Sequence, residues 1–192
     1  MVCHKTIYRK IRSGELFNGD LSFLRRKGRA YKRRTDVNRM KGGKSIHDRP
    51  KEADERCRVG DWELDKVVGK KGTKSCLLTI VDRKSRYLLA TLLPDRTAKR
   101  VSEAIRSLLE DKVVHTLTAD NGKEFSNYQY VEDKLNADVF FADPYASWQR
   151  GTNENTNGLL REYVPKGIDI GEFTESQIQE FVYKINTRPR KV

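Results

Sequence analysis

Three acidic residues, Asp65, Asp120 and Glu154, have the types and placement that could do chemistry. Asp65 sits in GDWELDKVVG, which reads as a strand. Asp120 closes HTLTAD and is followed by Asn121–Gly122, a turn signal that places it at a strand end. Glu154 lies in WQRGTNENTNGLLREY, which reads as a helix. Three carboxylates carried to one point by two strands and a helix could hold divalent metal ions. Phosphodiester cleavage needs an activated water or hydroxyl, charge stabilisation at phosphorus and a supported leaving oxygen. Two ions about 3.5–4 Å apart can meet all three needs. Mg²⁺ favours hard oxygen ligands and completes its shell with water and substrate phosphate, so three acids suffice. Strand alternation puts Asp61 and Glu63 on the face of Asp65, which keeps them as further acidic candidates. Asn157, Gly158 and Arg161 share the helix face of Glu154, and Gly158 leaves room for a close approach. Taken singly, each acid is more simply a surface charge or a cap, and Asp120 could serve only its turn; the joint arrangement carries the metal reading.

The charge of the chain is distributed unevenly. Residues 1–51 carry 16 Lys and Arg against 4 Asp and Glu, whereas the other 23 basic and 23 acidic residues cancel. The whole net charge of +12 therefore lies in the first quarter, as expected of a basic DNA-binding arm (1–51) joined to a neutral catalytic domain (52–192). Residues 4–13 read as a short helix with Ile7 and Ile11 four apart and Gly14 as its stop. Residues 25–44 are basic, lack apolar periodicity and read as a linker ordered on DNA. The candidate phosphate-binding residues of the arm are Lys5, Arg9, Arg12, Arg25, Arg26, Lys27, Arg29, Lys32, Arg33 and Arg34. Several such contacts would make DNA affinity fall steeply between about 50 and 200 mM salt, which a salt titration of binding measures. The cysteines, Cys3, Cys57 and Cys76, are odd in number and, with the three histidines, match no zinc spacing; reduced thiols are expected. No apolar run reaches the roughly 18–20 residues needed to span a bilayer, and the N-terminus lacks a signal-peptide core, so a soluble, intracellular (cytoplasmic) chain is expected.

The elements that must position the acids follow from residue 60. GDWELDKVVG, SCLLTIVDR and RYLLATLLP read as three strands joined by tight turns, hence antiparallel neighbours. An amphipathic helix follows, with Val101, Ala104, Ile105, Leu108 and Leu109 on one face. VVHTLT is a fourth strand, residues 125–135 a helix, DVFF a fifth strand, DPYASWQRG a loop and residues 152–163 a helix. The last helix starts at a Thr174–Gln177 capping box and buries Ile178, Phe181, Val182 and Ile185. Three meandering strands, then alternating helices and strands, predict an α/β fold: a mixed sheet with helices on both faces, in the element order of the ribonuclease H-like fold.

WELDKVVGKKG, LTADNGKEF and above all FADPYASWQRGTNENTNGLLREYVPKGID resemble the insertion-sequence-thirty family of bacterial transposases, within the wider group of DDE transposases and retroviral integrases. The resemblance runs over about residues 45–191. It implies a ribonuclease H-like catalytic domain with two Mg²⁺ or Mn²⁺ ions on Asp65, Asp120 and Glu154. It further implies nicking at transposon inverted repeats, strand transfer into target DNA by the freed 3′ hydroxyl, and a homo-oligomer that joins two ends. Lys123, Arg150, Asn153 and Asn155 become candidates for DNA contact; Trp148 could stack on a base or, the simpler expectation, pack against the sheet. Position 61 departs from the family, with Asp where His usually precedes Trp-Glu, which would add an acid near the site. The chain also opens inside what looks like the last helix of a helix-turn-helix and stops at NTRPRKV, and so resembles a family member truncated at both ends. Two rivals stay open, a non-catalytic DNA-binding remnant and a ribonuclease H acting on RNA–DNA hybrids.

Overall fold

The computed structural model describes residues 3–24 and 42–189. Contacts divide the chain into two units, residues 1–37 and 38–192. In the first, helix α1 (His4–Arg12) buries Ile11, leaves Ile7 exposed and ends before Gly14, whose φ of +83° stops a right-handed helix. Lys5, Arg9 and Arg12 are exposed on α1. Arg25, Arg26, Lys27, Arg29, Lys32, Arg33 and Arg34, with most of the expected linker, lie outside the described residues.

The second unit begins earlier than residue 52. Lys44–Ser45 forms a strand, β1, paired in parallel with Phe140–Phe141. Arg49 is buried, with its guanidinium on Asp54 and, at 2.9 Å, on the Thr118 hydroxyl. The final residues of the proposed arm are thus part of the sheet domain, a correction to the 51/52 boundary. Charge pattern missed it because these basic side chains find acidic and hydroxyl partners inside the fold.

Beyond β1 and a short helix, α2 (Lys51–Asp54), the element order follows the expectation: β2 (Asp61–Val68), β3 (Cys76–Asp82), β4 (Leu88–Leu93), α3 (Ala98–Leu109), β5 (Thr116–Ala119), α4 (Tyr128–Leu135), β6 (Asp138–Phe141), α5 (Gly151–Leu160) and α6 (Glu175–Asn186). The sheet order is β1-β6-β5-β2-β3-β4. Strands β2, β3 and β4 meander antiparallel, while β5 lies parallel to both β2 and β6. This is the mixed sheet of a ribonuclease H-like fold.

Strand alternation divides the core between the two faces. Trp62, Leu64, Leu78 and Ile80 pack with Val101, Ile105 and Leu109 of α3 and Val131 of α4. Val67, Leu77 and Val81 pack with Leu160 of α5 and Ile178, Val182 and Ile185 of α6. Asp61, Glu63 and Asp65 therefore belong to the α5 side. The capping box of α6 forms as expected, with the Thr174 hydroxyl accepting from the Gln177 amide and Gln177 reaching back to Thr174. The expected 125–135 helix is split. A 3₁₀ turn covers Lys123–Phe125 and α4 starts only at Tyr128, where Phe125 and Tyr128 can both enter the core.

Candidate active site

The site is assembled where α5 runs along β2. Glu63 is fully buried; one oxygen meets the Arg83 guanidinium and the other accepts from the Asn153 backbone amide at 3.0 Å. A buried carboxylate thus caps the first turn of α5, where backbone N–H groups lack helical partners and the helix dipole favours negative charge. Two residues along β2, Asp65 Oδ2 accepts from Asn157 Nδ2 at 2.8 Å. Two strand residues advance about 6.6 Å and four helix residues about 6 Å, so the second contact follows once the first is made. Arg161 continues the series by donating to the Val68 carbonyl at 2.8 Å. Burial of Arg161 lowers its pKa.

Asn157 is itself oriented. The Thr79 hydroxyl, fully buried and in register with Asp65 on the neighbouring strand, donates to Asn157 Oδ1 at 3.2 Å. With its oxygen so engaged, the amide turns its N–H towards Asp65.

Asp120 is the first residue beyond β5, and its Oδ1 accepts from the Gly122 backbone amide at 2.8 Å. Asn121 donates to the Ala142 carbonyl and ties the ends of β5 and β6 together. A Cβ at Gly122 would lie 2.7 Å from Asp120 Oδ1 and against the Glu124 carboxylate, so a side chain there would push both carboxylates aside. Glu124 pairs with Lys66, on the strand residue next to Asp65.

Arg150 joins the two acids. Its guanidinium lies 3.3 Å from Asp65 and 3.6 Å from Asp120, and it also donates to the Leu64 carbonyl. Asp65, Glu154, Asn157, Gly158, Arg161 and Lys166 line one cleft of about 330 Å³, and Asp120 lines an adjoining one; Ser147 and Arg150 line both. Among the described residues no three His, Cys, Asp or Glu side chains stand close enough together to hold a metal ion as a group. The donor chemistry nevertheless fits one. Asp65 and Asp120 are partly exposed hard-oxygen carboxylates that already converge on a single cation, the Arg150 guanidinium.

The other sequence candidates are placed differently. Lys123 and Asn155 are exposed, as a DNA contact requires. Asn153 is fully buried and serves α5 through its backbone amide, so it is a structural residue rather than a DNA contact. Asp61 adds no acid to the cleft: it is fully buried and bound by Arg58 at 3.0 Å and the Thr116 hydroxyl at 2.7 Å. It also precedes Asp65 by about 13 Å of extended strand. Trp148 does not pack against the sheet but is 75% exposed. Lys166 went unrecognised, since a lone lysine in YVPKGID carries no local signal. Cys76 is buried in the core, which raises its pKa, and Cys3 and Cys57 are free and exposed.

Residues 55–147 match the family model described as the integrase core domain; the match ends short of Glu154. The transposase for insertion sequence element IS4351 of Bacteroides fragilis is 42% identical over 100% of this chain and 60% of its own length. The transposase InsI for insertion sequence element IS30A of Escherichia coli K12 is 34% identical over 98% of this chain and 51% of its own. The chain thus spans between half and three-fifths of the length of these relatives. Among solved structures, the catalytic core domain of BIV integrase superposes with a TM-score of 0.55 at 20% identity, covering 69% of this chain and 86% of that one. A simian T-cell lymphotropic virus intasome chain gives 0.58 at 20% identity, over 69% of this chain and 50% of that one. Residues 55–147 are thus similar to the integrase core domain, nearly the whole chain is similar to part of each of these insertion-sequence transposases, and the fold is that of the retroviral integrase catalytic core.

Proposed function

We propose that the chain is the catalytic core of a DDE-type DNA transposase. It would nick transposon inverted repeats and join the freed 3′ hydroxyl to target DNA. The observation that carries this reading is the convergence of Asp65 and Asp120, from adjacent parallel strands, on one cation beside the cleft of Glu154. The three acids would hold Mg²⁺ or Mn²⁺, two ions by analogy with the family. Bound there, the ions supply charge neutralisation at the phosphate and an activated attacking oxygen. Asn157 and the Gly122 amide hold the two aspartates in place, and Arg161 and Lys166 bring positive charge to a cleft that must admit a polyanion. An exposed basic α1 would add phosphate contacts that are indifferent to base sequence. Joining two transposon ends calls for at least two cores, so a homo-oligomer on DNA belongs to the proposal, as does work in the cytoplasm at the nucleoid. No helix among the described residues is long and apolar enough to cross a membrane.

Arg150 has two tasks in this scheme. It neutralises the acids while they lack a metal, and once released it offers a guanidinium to phosphate. Arg150→Ala should therefore tighten Mn²⁺ binding to the DNA-free protein about two- to fivefold, the equivalent of a part-exposed ion pair. The same change should weaken binding to inverted-repeat DNA. Calorimetric Mn²⁺ titration and a DNA-binding assay measure both; no change in either would remove Arg150 from the scheme.

The test of the function is nicking and strand transfer by the native chain on the inverted-repeat DNA that flanks its gene, in Mg²⁺ and in Mn²⁺. Metal-dependent nicking is expected. DNA binding without cleavage in either metal would assign the chain instead to a non-catalytic DNA-binding role, able to mix into assemblies of longer transposases.

A further inference from the structure

We propose that Lys66 and Glu124 are positioning residues that fix the separation of Asp65 and Asp120. This rests on the metal-binding reading of the cleft and deepens it.

The need for such a pair comes from the sheet. Strands β2 and β5 pair from Asp61 with Thr116 to Glu63 with Thr118, and there the pairing stops. Asp65 and Asp120 both lie beyond that point. Asp65 is held by β3, whose pairing with β2 continues to Val68 and Cys76. Asp120 is tied towards β6, because the neighbouring Asn121 donates to the Ala142 carbonyl. The two acids thus belong to halves of a sheet that have parted between them, and no backbone ladder sets their distance. Carboxylates that share a metal must be held within about 0.5 Å of their working geometry.

Side chains span the gap from both faces. On the α5 face Arg150 reaches Asp65 and Asp120, but a bound metal would take those oxygens and release it. On the other face Lys66 meets Glu124. Strand alternation places Lys66 with Trp62 and Leu64 on the α3 side, and Glu124 lines a small cavity there with Leu64, Ile105 and Val131. The two side chains are only 25% and 11% exposed, so salt screens their attraction less than at an open surface. Each partner is also coupled to one acid through the backbone. Asp65 Oδ1 accepts from the Lys66 amide at 2.9 Å. The Glu124 carboxylate lies against Gly122, whose amide holds Asp120 Oδ1 at 2.8 Å. The ion pair is therefore a strap between the two acids that outlasts the release of Arg150.

The experiment is calorimetric Mn²⁺ titration of the DNA-free chain, below the metal-free melting temperature of every variant. Lys66→Met and Glu124→Gln should each bind Mn²⁺ about tenfold more weakly, in the range seen when groups that orient metal ligands are removed. The two changes shift the local charge in opposite directions, so a purely Coulombic influence would tighten binding in the first and weaken it in the second. Lys66→Arg keeps the ion pair and should bind close to natively. The double change Lys66→Met with Glu124→Leu strands no charge and alters no net charge, so it should keep the fold and still bind weakly. Native-like affinity in Lys66→Met or in the double variant, or Lys66→Arg binding as weakly as Lys66→Met, would each overturn the proposal. A native chain that binds no Mn²⁺ sinks the metal reading itself, whereas equal binding by the native chain and the variants sinks only the strap.

Discussion

Asp120→Asn should reduce metal-dependent nicking by on the order of a thousandfold or more, as expected where residues act as a unit, while DNA binding persists. The substitution is nearly isosteric. The asparagine oxygen can still accept from the Gly122 amide, so the turn after β5 survives. A side chain that is one-third exposed contributes little to packing, so the fold should be unaffected. What disappears is one negative charge and one hard anionic ligand at the point where Arg150 brings Asp120 and Asp65 together. A readout independent of activity sharpens the test. Metal that binds only the folded state raises the thermal midpoint by mass action. Mn²⁺ should therefore shift the melting of the native protein and leave Asp120→Asn nearly unshifted. Native-like nicking by the variant would remove Asp120 from the chemistry.

The second large effect is on stability. Glu63→Ala should cost about 3–5 kcal/mol, because removing one member of a buried ion pair strands the other. Arg83 is 4% exposed, and burial already lowers its pKa although Glu63 opposes that shift. Without the carboxylate, the guanidinium would keep its bond to the Ala53 carbonyl and lose its counter-charge. The Asn153 amide would lose its acceptor as well, freeing the start of α5. Denaturant unfolding measures the cost. The double change Glu63→Leu with Arg83→Met separates the two roles: apolar replacement of both partners should restore most of the stability. It should leave Mn²⁺ affinity low, because nothing then fixes α5 and Asn157 against Asp65. Full recovery of metal affinity in the double variant would show that Glu63 supports the fold without positioning the site.

Both predictions concern residues that the sequence treats unequally. Asp120 was legible, since Asn121–Gly122 marks a strand end and the motif around it resembles a known family. Glu63 was visible only as one of three acids on the same face of a strand. Asp61 and Asp65 had the same claim, yet the three have separate fates: Asp61 on Arg58 and Thr116, Glu63 on Arg83 and α5, Asp65 at the cleft. Alternation tells which face a side chain takes, but the partner waiting there comes from distant parts of the chain. Trp148 failed as an expectation for a similar reason. An aromatic in a loop is buried or exposed according to the packing of that loop, and local sequence does not carry this.

The sequence by itself determined the order of the strands and helices from residue 60, the capping box of α6, the apolar faces of α3 and α6, and the place of Asp120 at a strand end. These are properties of short segments: hydrophobic period, turn chemistry and capping all act within a few residues. Only the tertiary structure decided that Lys44–Ser45 closes the sheet edge, that Asn153 is buried, that Thr79 orients Asn157, and that Arg150 stands between Asp65 and Asp120. Each depends on groups that sequence separates widely and folding brings to hydrogen-bond distance. Their energies exist only once the strands have paired and α5 has settled along β2.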